Sequence, residues 1–265
     1  MTTRTVLAGL TVLALAGLAG CGGGNDAAGS VPSTGSSANA VTGPVTVFAV
    51  ASLTESFTKI GKDFEAANPG AKVTFNFAGS SALATQINQG APADVFASAA
   101  PANMKTVTDA GNGDGTPTTF VKNQLVIAVP KGNPKGIKGL ADLTKPGVKV
   151  ALCAEQVPCG AAAKKALDAA GVKLTPATLE QDVKAALTKA KLGEVDAALV
   201  YRTDAKSASA DVDGVEFPES AGAINDYPIA LLKNAPNKTT AQAFLDYVLS
   251  EKGKAVLTAA GFQAP

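Results

Sequence analysis

The chain has 265 residues, a formal net charge of +1 from 23 basic and 22 acidic side chains, and no histidine. Without histidine it cannot form a His-dependent catalytic triad, a His-ligated zinc site or a haem site with a proximal histidine. The balanced charge contains no basic stripe, which argues against a nucleic-acid partner.

Residues 1–20 have the pattern of an export signal. Arg4 supplies a positive charge, and the apolar run that follows is signal-sized and rich in small residues, so it does not read as a membrane-spanning helix. The run ends in Leu18-Ala19-Gly20-Cys21, which resembles the bacterial lipoprotein box. We therefore predict an extracytoplasmic protein anchored to the cell membrane through lipid on Cys21. The alternative is an ordinary secretory signal that is cut nearby after small residues.

Residues 21–43 form a predicted flexible tether. This segment is dominated by Gly, Ser, Ala and Asn, and such a composition cannot bury enough apolar surface to offset the entropy of ordering. About 220 residues remain to fold, which is enough for two lobes or one large domain.

The remaining sequence alternates buried strands with amphipathic helices. This alternation predicts a parallel sheet and an α/β fold. Predicted strands lie at 45–50, 72–77, 94–98, 125–129, 148–152, 197–201 and 229–232, and predicted helices start near 53 or lie near 83–87, 101–110, 160–170, 183–191 and 239–259.

Ligands in such folds gather where strands end and helices begin, and two of these junctions carry hydroxyl groups. Ser52 ends the first strand, and with Glu55 it forms the S-x-x-E pattern of a capping box. It can therefore cap its helix, face a ligand, or do both. Ser80 follows Gly79 at the start of another helix. A helix N-terminus offers unpaired N–H groups and partial positive charge, which suit an anion.

Three later junctions add further donors. Cys159 lies at the junction before one helix, Val183 follows Asp182, a plausible N-cap, and Tyr201 ends a strand. Tyr201 could be a core-edge residue with a solvated hydroxyl or could donate its O–H to a ligand. A fully ionised tetrahedral oxyanion only accepts hydrogen bonds, so it suits neutral hydroxyl and backbone N–H donors and needs no balancing cation.

Most of residues 45–265 resembles the substrate-binding protein of molybdate ABC transporters. The segments that carry the resemblance, in chain order, are VTVFAVASLTESF, FAGSSALATQINQGAPADVFASA, LVIAVPKGNP, EQVPCGAAAKKAL, EQDVKAAL, VYRTDA, YPIALL and AAGF. Each alone is a weak signal, but their order makes the set specific.

The resemblance implies a type II periplasmic-binding-protein fold, an α/β fold in which two lobes close on the anion. One lobe would comprise 44–126 and 226–265, and the other 127–225. It further implies a non-enzymatic monomer without a cofactor, which binds molybdate or tungstate through hydrogen bonds and without a directly bound metal. The partners implied are a membrane permease and its ATPase.

Five family ligand contacts map onto this chain, and they coincide with the junctions above. Ser52 and Ser80 would each give a hydroxyl and a backbone N–H, Cys159 and Val183 would give backbone N–H groups, and Tyr201 its phenolic O–H. Cys159 stands where relatives often have a small residue such as alanine. Because both would face an oxidising compartment, we hypothesise a disulfide between Cys153 and Cys159; two free thiols are the alternative.

The sequence is also compatible with other functions. Sulfate and phosphate are rival anions, and Asp182 or Asp204 could accept the proton of a phosphate. An exported hydrolase would need a base beside Ser52, Ser80 or Ser81, and the sequence has neither histidine nor a G-x-S-x-G elbow at these positions. A lipoprotein that binds no ligand is a further alternative.

Overall fold

The computed structural model describes residues 41–265. The signal 1–20, the lipidation site Cys21 and the tether up to residue 40 lie outside the described residues, so these assignments stay predictions.

Within the described range the chain forms ten strands in two sheets: β1 (Gly43–Val50), β2 (Ala71–Ala78), β3 (Val95–Ala97), β4 (Gly113–Asn123), β5 (Leu125–Pro130), β6 (Val150–Cys153), β7 (Thr178–Glu180), β8 (Ala197–Tyr201), β9 (Val212–Val215) and β10 (Asn225–Leu232). The first sheet has the strand order β2-β1-β3-β10-β4, and the second has the order β7-β6-β8-β5-β9.

Helices lie between most of these strands: α1 (Thr54–Ala67), α2 (Ser80–Asn88), α3 (Pro101–Asp109), α4 (Pro158–Ala169), α5 (Val183–Lys191), α6 (Arg202–Ser207), α7 (Lys238–Leu249) and α8 (Glu251–Ala260). Short 3-10 turns occupy Ala51–Leu53, Leu140–Thr144 and Pro218–Ala223.

The chain passes between the sheets twice. It leaves the first sheet at Gln124, between β4 and β5, and returns to it at the start of β10. Asn123 and Asn225 are register partners in the antiparallel β4–β10 pair. The two crossings therefore run side by side.

Both faces of the first sheet are buried along the second half of β1. Successive residues of a strand point to opposite faces. Val47 and Ala49 belong to the main core, whereas Phe48 belongs to a second cluster with Leu83 and Phe96. This explains why β1 reads as a continuous apolar run rather than an alternating one.

An aromatic cluster joins α1 to the first sheet and to α7. Phe57 and Phe64 are buried two turns apart on α1. Phe244 meets both rings edge-on, with centroids 6.2 Å and 5.5 Å away, an arrangement that adds to the area-based stabilisation. The helical spacing predicted for α1 thus corresponds to its buried face.

The prediction of parallel sheets was only partly right, because both sheets are mixed. In the first sheet, β10 pairs antiparallel with β3 and β4, and in the second, β5 pairs antiparallel with β8 and β9. Neither strand follows a crossover helix within its own sheet: β5 continues directly from β4, and β10 returns from the other sheet. The geometry that enforces parallel pairing is therefore absent at these positions.

Several element assignments also differ from the sequence prediction, which did not include β7, β9 or α6. The segment 239–259 was predicted as one helix, but the backbone is extended at Ser250, whose hydroxyl accepts a hydrogen bond from the Gly253 N–H and starts α8. Strand β4 was missed because its first half is rich in Gly, Thr and Pro. It lies at the edge of the first sheet, where proline is tolerated.

Across residues 41–265, no helix has both the length and the apolar character needed to span a bilayer.

Candidate ligand-binding site

Ser52 is buried in the 3-10 turn that joins β1 to α1. The predicted capping box was wrong, because the turn delays the start of α1 and Leu53 occupies the N-cap position without a side-chain cap bond. The Ser52 hydroxyl instead lies 2.9 Å from the Tyr227 hydroxyl. The Glu55 carboxylate bonds Lys184 Nζ at 2.8 Å and 2.9 Å.

Ser80 is the first residue of α2 and is fully buried. Its Oγ accepts a hydrogen bond from the Ala99 backbone N–H at 3.0 Å. A serine hydroxyl has one proton and two lone pairs, so this contact fixes the oxygen and leaves the Ser80 proton available for donation.

Cys159 and Val183 are buried in the first turns of α4 and α5. Backbone N–H groups in the first turn of a helix have no intrahelical acceptor. Cys159 forms a disulfide with Cys153, the pairing hypothesised from the sequence, with a Cα–Cα distance of 5.7 Å. Asp182 is the N-cap of α5, as predicted, and accepts from the Ala185 N–H at 2.9 Å.

Tyr201 is the last residue of β8 and is only 1% exposed. Its hydroxyl has no hydrogen-bond partner within the described part of the chain. Its ring packs edge-on against Tyr227, with centroids 5.9 Å apart. Burial raises the pKa of the Tyr201 phenol well above its ordinary value, so the group remains an O–H donor at neutral pH. Buried polar groups normally have a partner, so the lack of one at this hydroxyl is unusual.

The junctions of the first sheet face those of the second. A side chain at Gly79 would collide with the carbonyl oxygen of Gln181 and would touch Val157. Gln181 lies just before α5, and Val157 just before α4. The turn that holds Ser52 also contacts α5. The five predicted residues therefore lie at neighbouring junctions of the two sheets.

Two cations next to these residues are already paired with carboxylates. Arg202 follows Tyr201 and binds the Glu216 carboxylate with two hydrogen bonds, of 2.7 Å and 2.8 Å. Lys184 follows Val183 and binds Glu55. The donors at the five predicted positions themselves are neutral hydroxyl and backbone N–H groups.

A buried acid lies directly behind this group of junctions. Asp204 is fully buried, its Oδ1 lies 3.2 Å from Lys184 Nζ, and its Oδ2 accepts from the Tyr201 N–H. Burial raises the pKa of Asp204 to about 6, although the Lys184 ammonium acts in the opposite direction. Asp204 and Glu55 thus hold Lys184 between elements of the two sheets.

Three residues around the site, Tyr227, Asn123 and Thr203, were not predicted from the sequence. Tyr227 contacts both Ser52 and Tyr201, while Asn123 Nδ2 donates to Thr203 Oγ1 at 2.9 Å and to the Tyr227 hydroxyl at 3.3 Å. The one available signal was the polar pair Asn123-Gln124 between two apolar runs. Nothing local distinguishes Tyr227 from a core tyrosine.

The sequence also matches a model of bacterial extracellular solute-binding proteins over residues 45–263. The chain belongs to this family. A molybdate-binding protein, ModA, of Mycobacterium tuberculosis (strain ATCC 25618 / H37Rv) is 44% identical over 256 residues, covering 97% of this chain and 96% of the relative.

Solved structures show the same two-lobed periplasmic-binding-protein fold. The periplasmic molybdate-binding protein of Azotobacter vinelandii matches with a TM-score of 0.72 at 21% identity, covering 83% of this chain and 99% of that one. The sulfate-binding protein SubI of Mycobacterium tuberculosis H37Rv matches with a TM-score of 0.70 at 19% identity, covering 83% and 86%. Because the fold accommodates both functions, the fold alone does not identify the anion.

Proposed function

We propose that this chain binds molybdate, or the similar tungstate, outside the cytoplasm and delivers it to an ABC permease driven by an ATPase. The near-full-length similarity to a protein named for molybdate binding supports the choice of anion. In this proposal the shell consists of Ser52, Ser80, Cys159, Val183 and Tyr201, and the ligand is held by hydrogen bonds without a cofactor.

The observation that carries the proposal is the buried Tyr201 hydroxyl, which lacks a partner among residues 41–265. A buried hydroxyl without a hydrogen bond costs about 1–3 kcal/mol. A bound oxyanion would accept this bond and remove the cost. The free proton of Ser80 and the first-turn N–H groups of α4 and α5 would complete a shell of donors around the same anion.

The shell favours an anion that carries no proton. Hydrogen phosphate would need an acceptor for its own O–H, and the sequence offered Asp182 and Asp204 for that role. Asp182 caps α5, whereas Asp204 bonds the Tyr201 N–H and pairs with Lys184. Both carboxylates thus have other partners, which supports molybdate, tungstate or sulfate over phosphate.

The same geometry supports binding rather than catalysis. A serine nucleophile needs a general base, and the chain has no histidine. The Ser52 hydroxyl contacts a phenol, and the Ser80 oxygen accepts from a backbone N–H. Neither contact can remove a proton from serine at neutral pH.

Delivery would use closure of two lobes, with boundaries near residues 126 and 226, each built around one sheet. Contacts such as Glu55 with Lys184 join elements of opposite lobes, so they favour the closed form, which the permease would recognise. Closure of this kind is a shift between two arrangements. We further propose that the protein acts as a monomer tethered through lipid on Cys21.

Isothermal titration of the full chain with molybdate, tungstate, sulfate and phosphate tests the proposal. We expect tight binding of molybdate and tungstate, with weak or no heat from sulfate and phosphate. Preference for sulfate or phosphate would contradict the assigned anion while leaving the transport role intact. Absence of binding to all four anions would contradict the function itself.

A further inference from the structure

We propose that Asn123 and Tyr227 are positioning residues that fix the direction of the hydrogen bond at Ser52, so that the Ser52 proton points at the anion. The inference rests on the proposed function. It assigns to two residues outside the five-residue shell a role in selecting anions without a proton.

The orientation of the Asn123 amide is set by the backbone. The Gln124 N–H can only donate, and it lies 3.0 Å from Asn123 Oδ1, so this amide oxygen must be the acceptor. The opposite side of the amide is therefore the NH₂ group. Its nitrogen lies 2.9 Å from Thr203 Oγ1 and 3.3 Å from the Tyr227 hydroxyl, so Asn123 donates to Tyr227.

Tyr227 must then donate in turn. Its phenol is fully buried, and burial raises its pKa far above neutrality, so it keeps its single proton. Its oxygen already accepts from Asn123. Ser52 Oγ lies 2.9 Å away, whereas the Tyr201 hydroxyl, although near Tyr227, makes no hydrogen bond of acceptable geometry with any described residue. The Tyr227 proton is thus directed at Ser52.

Ser52 is consequently an acceptor toward Tyr227 and cannot donate back to it. A hydroxyl has only one proton, and that proton is left to point away from Tyr227 toward the junctions that face Ser52. A fully ionised oxyanion accepts this proton. An anion that presents its own O–H at this point would have to use the second lone pair of Ser52 as the acceptor, which turns the Ser52 proton aside and loses it as a donor to the anion.

The test compares molybdate with hydrogen phosphate at about pH 8, where both are predominantly dianions but only phosphate retains a proton. Tyr227→Phe removes the donor that orients Ser52, so the serine proton is no longer directed at the anion and the preference for an unprotonated oxygen at this point is relaxed. We expect titration to show molybdate binding weakened about tenfold. We also expect the molybdate-to-hydrogen-phosphate affinity ratio to fall by a similar factor.

A double-mutant cycle separates this role from a general packing effect. In a Ser52→Ala background, replacing Tyr227 by Phe should change molybdate affinity by no more than about twofold, because the hydroxyl it positions is gone. Tyr247→Phe is the matched control. It removes a phenolic hydroxyl from α7, where the ring contacts Phe64, and it should leave both affinities unchanged.

Asn123→Asp provides a second variant in case Tyr227→Phe folds poorly. A carboxylate at this position accepts the Tyr227 proton, so Tyr227 no longer donates to Ser52. Ser52 then donates to Tyr227 instead, and its proton is no longer available to the anion. The added negative charge of the carboxylate weakens both dianions alike, so the ratio still reports the hydrogen-bond direction.

Full additivity of Tyr227→Phe and Ser52→Ala, or an unchanged ratio in both positioning variants, would overturn the inference while the proposed function stands. A parent chain that binds no molybdate would overturn both. When hydrogen phosphate binds too weakly to measure, the molybdate cycle decides alone.

Discussion

The α-carbon of Gly79 lies so close to the carbonyl oxygen of Gln181 that a single methyl group does not fit between them. Gly79 follows β2 of the first sheet, and Gln181 precedes α5 beside the second. The backbone of Gly79 is extended, with φ −62° and ψ 141°, which alanine adopts readily. The glycine is therefore required by this contact rather than by its own conformation.

We expect Gly79→Ala to weaken molybdate binding about tenfold or more, because a clash of this kind costs about 1–3 kcal/mol and opposes closure. Titration measures the effect. Gly139→Ala is the matched control, since a Cβ there meets nothing within 4 Å. Equal affinities for the two variants would show that these junctions do not approach each other in the bound state.

Tyr201→Phe should separate binding from stability. We expect molybdate affinity to fall by about 1–3 kcal/mol, because the anion loses a donor. We expect the stability of the ligand-free protein to stay constant or rise, because a buried hydroxyl without a partner is removed. Titration and ligand-free thermal unfolding test the two parts. A variant that unfolds earlier but binds normally would assign Tyr201 to the core alone.

Replacement of either serine should affect both of these measurements. Ser52→Ala and Ser80→Ala should each weaken molybdate binding by about 1–3 kcal/mol. Ser80→Ala leaves the buried Ala99 N–H without its acceptor, and Ser52→Ala does the same to the buried Tyr227 hydroxyl, so both variants should lose unfolding free energy in denaturant titrations. If both variants bind like the parent, the site lies elsewhere.

The buried acid predicts a pH dependence of stability. Burial raises the pKa of Asp204 from 3.8 to about 6, so the folded protein holds a proton that the unfolded chain has lost between about pH 4 and pH 6. The contribution of Asp204 to stability therefore falls as the pH rises through this window and is constant above it.

Asp204→Asn removes this titration. Its unfolding free energy relative to the parent should increase between about pH 4 and pH 6, by on the order of 3 kcal/mol at most, since one pKa unit is worth about 1.4 kcal/mol. Denaturant titration across the range measures the difference. Groups that titrate identically in both proteins cancel, so a flat difference would contradict the raised pKa.

The disulfide should matter for stability more than for affinity. Cys153 and Cys159 are six positions apart, and a loop of this size adds about 2 kcal/mol in the chain-entropy model. The proposed ligand group of Cys159 is its backbone N–H, which α4 positions independently of the bond. We expect the Cys153→Ala/Cys159→Ala variant to unfold more easily but to bind molybdate within about threefold of the parent. A larger loss of affinity would mean that the bond itself shapes the ligand loop.

The sequence allowed prediction of features that depend on local patterns. The burial of β1 and the buried face of α1 follow from the spacing of apolar residues. The N-cap role of Asp182 was predictable because the side chain bonds a backbone N–H in the first turn of its own helix. The disulfide hypothesis needed only a short separation and an oxidising compartment.

The features that were missed depend on contacts between distant segments. The contact of Ser52 with Tyr227 joins residues 175 positions apart, so the capping pattern at Ser52 and Glu55 could not reveal it. The direction of β10 depends on how the chain returns from the second sheet. Pairing of the edge strand β4 likewise depends on β10 and not on its own composition.

The position of β10 between β3 and β4 also sets the order in which the molecule can be completed. All strands of the second sheet lie within residues 125–215, so that sheet can form as a continuous segment. Strand β4 is synthesised much earlier than β10, its neighbour in the sheet among residues 41–265, so Thr119 and Val121 have no strand partner until residues 225–232 emerge. A chain that stops short of this segment leaves an unpaired edge open to aggregation. The first sheet, with α7 and α8, can therefore be completed only after the 41 residues 225–265 have been synthesised.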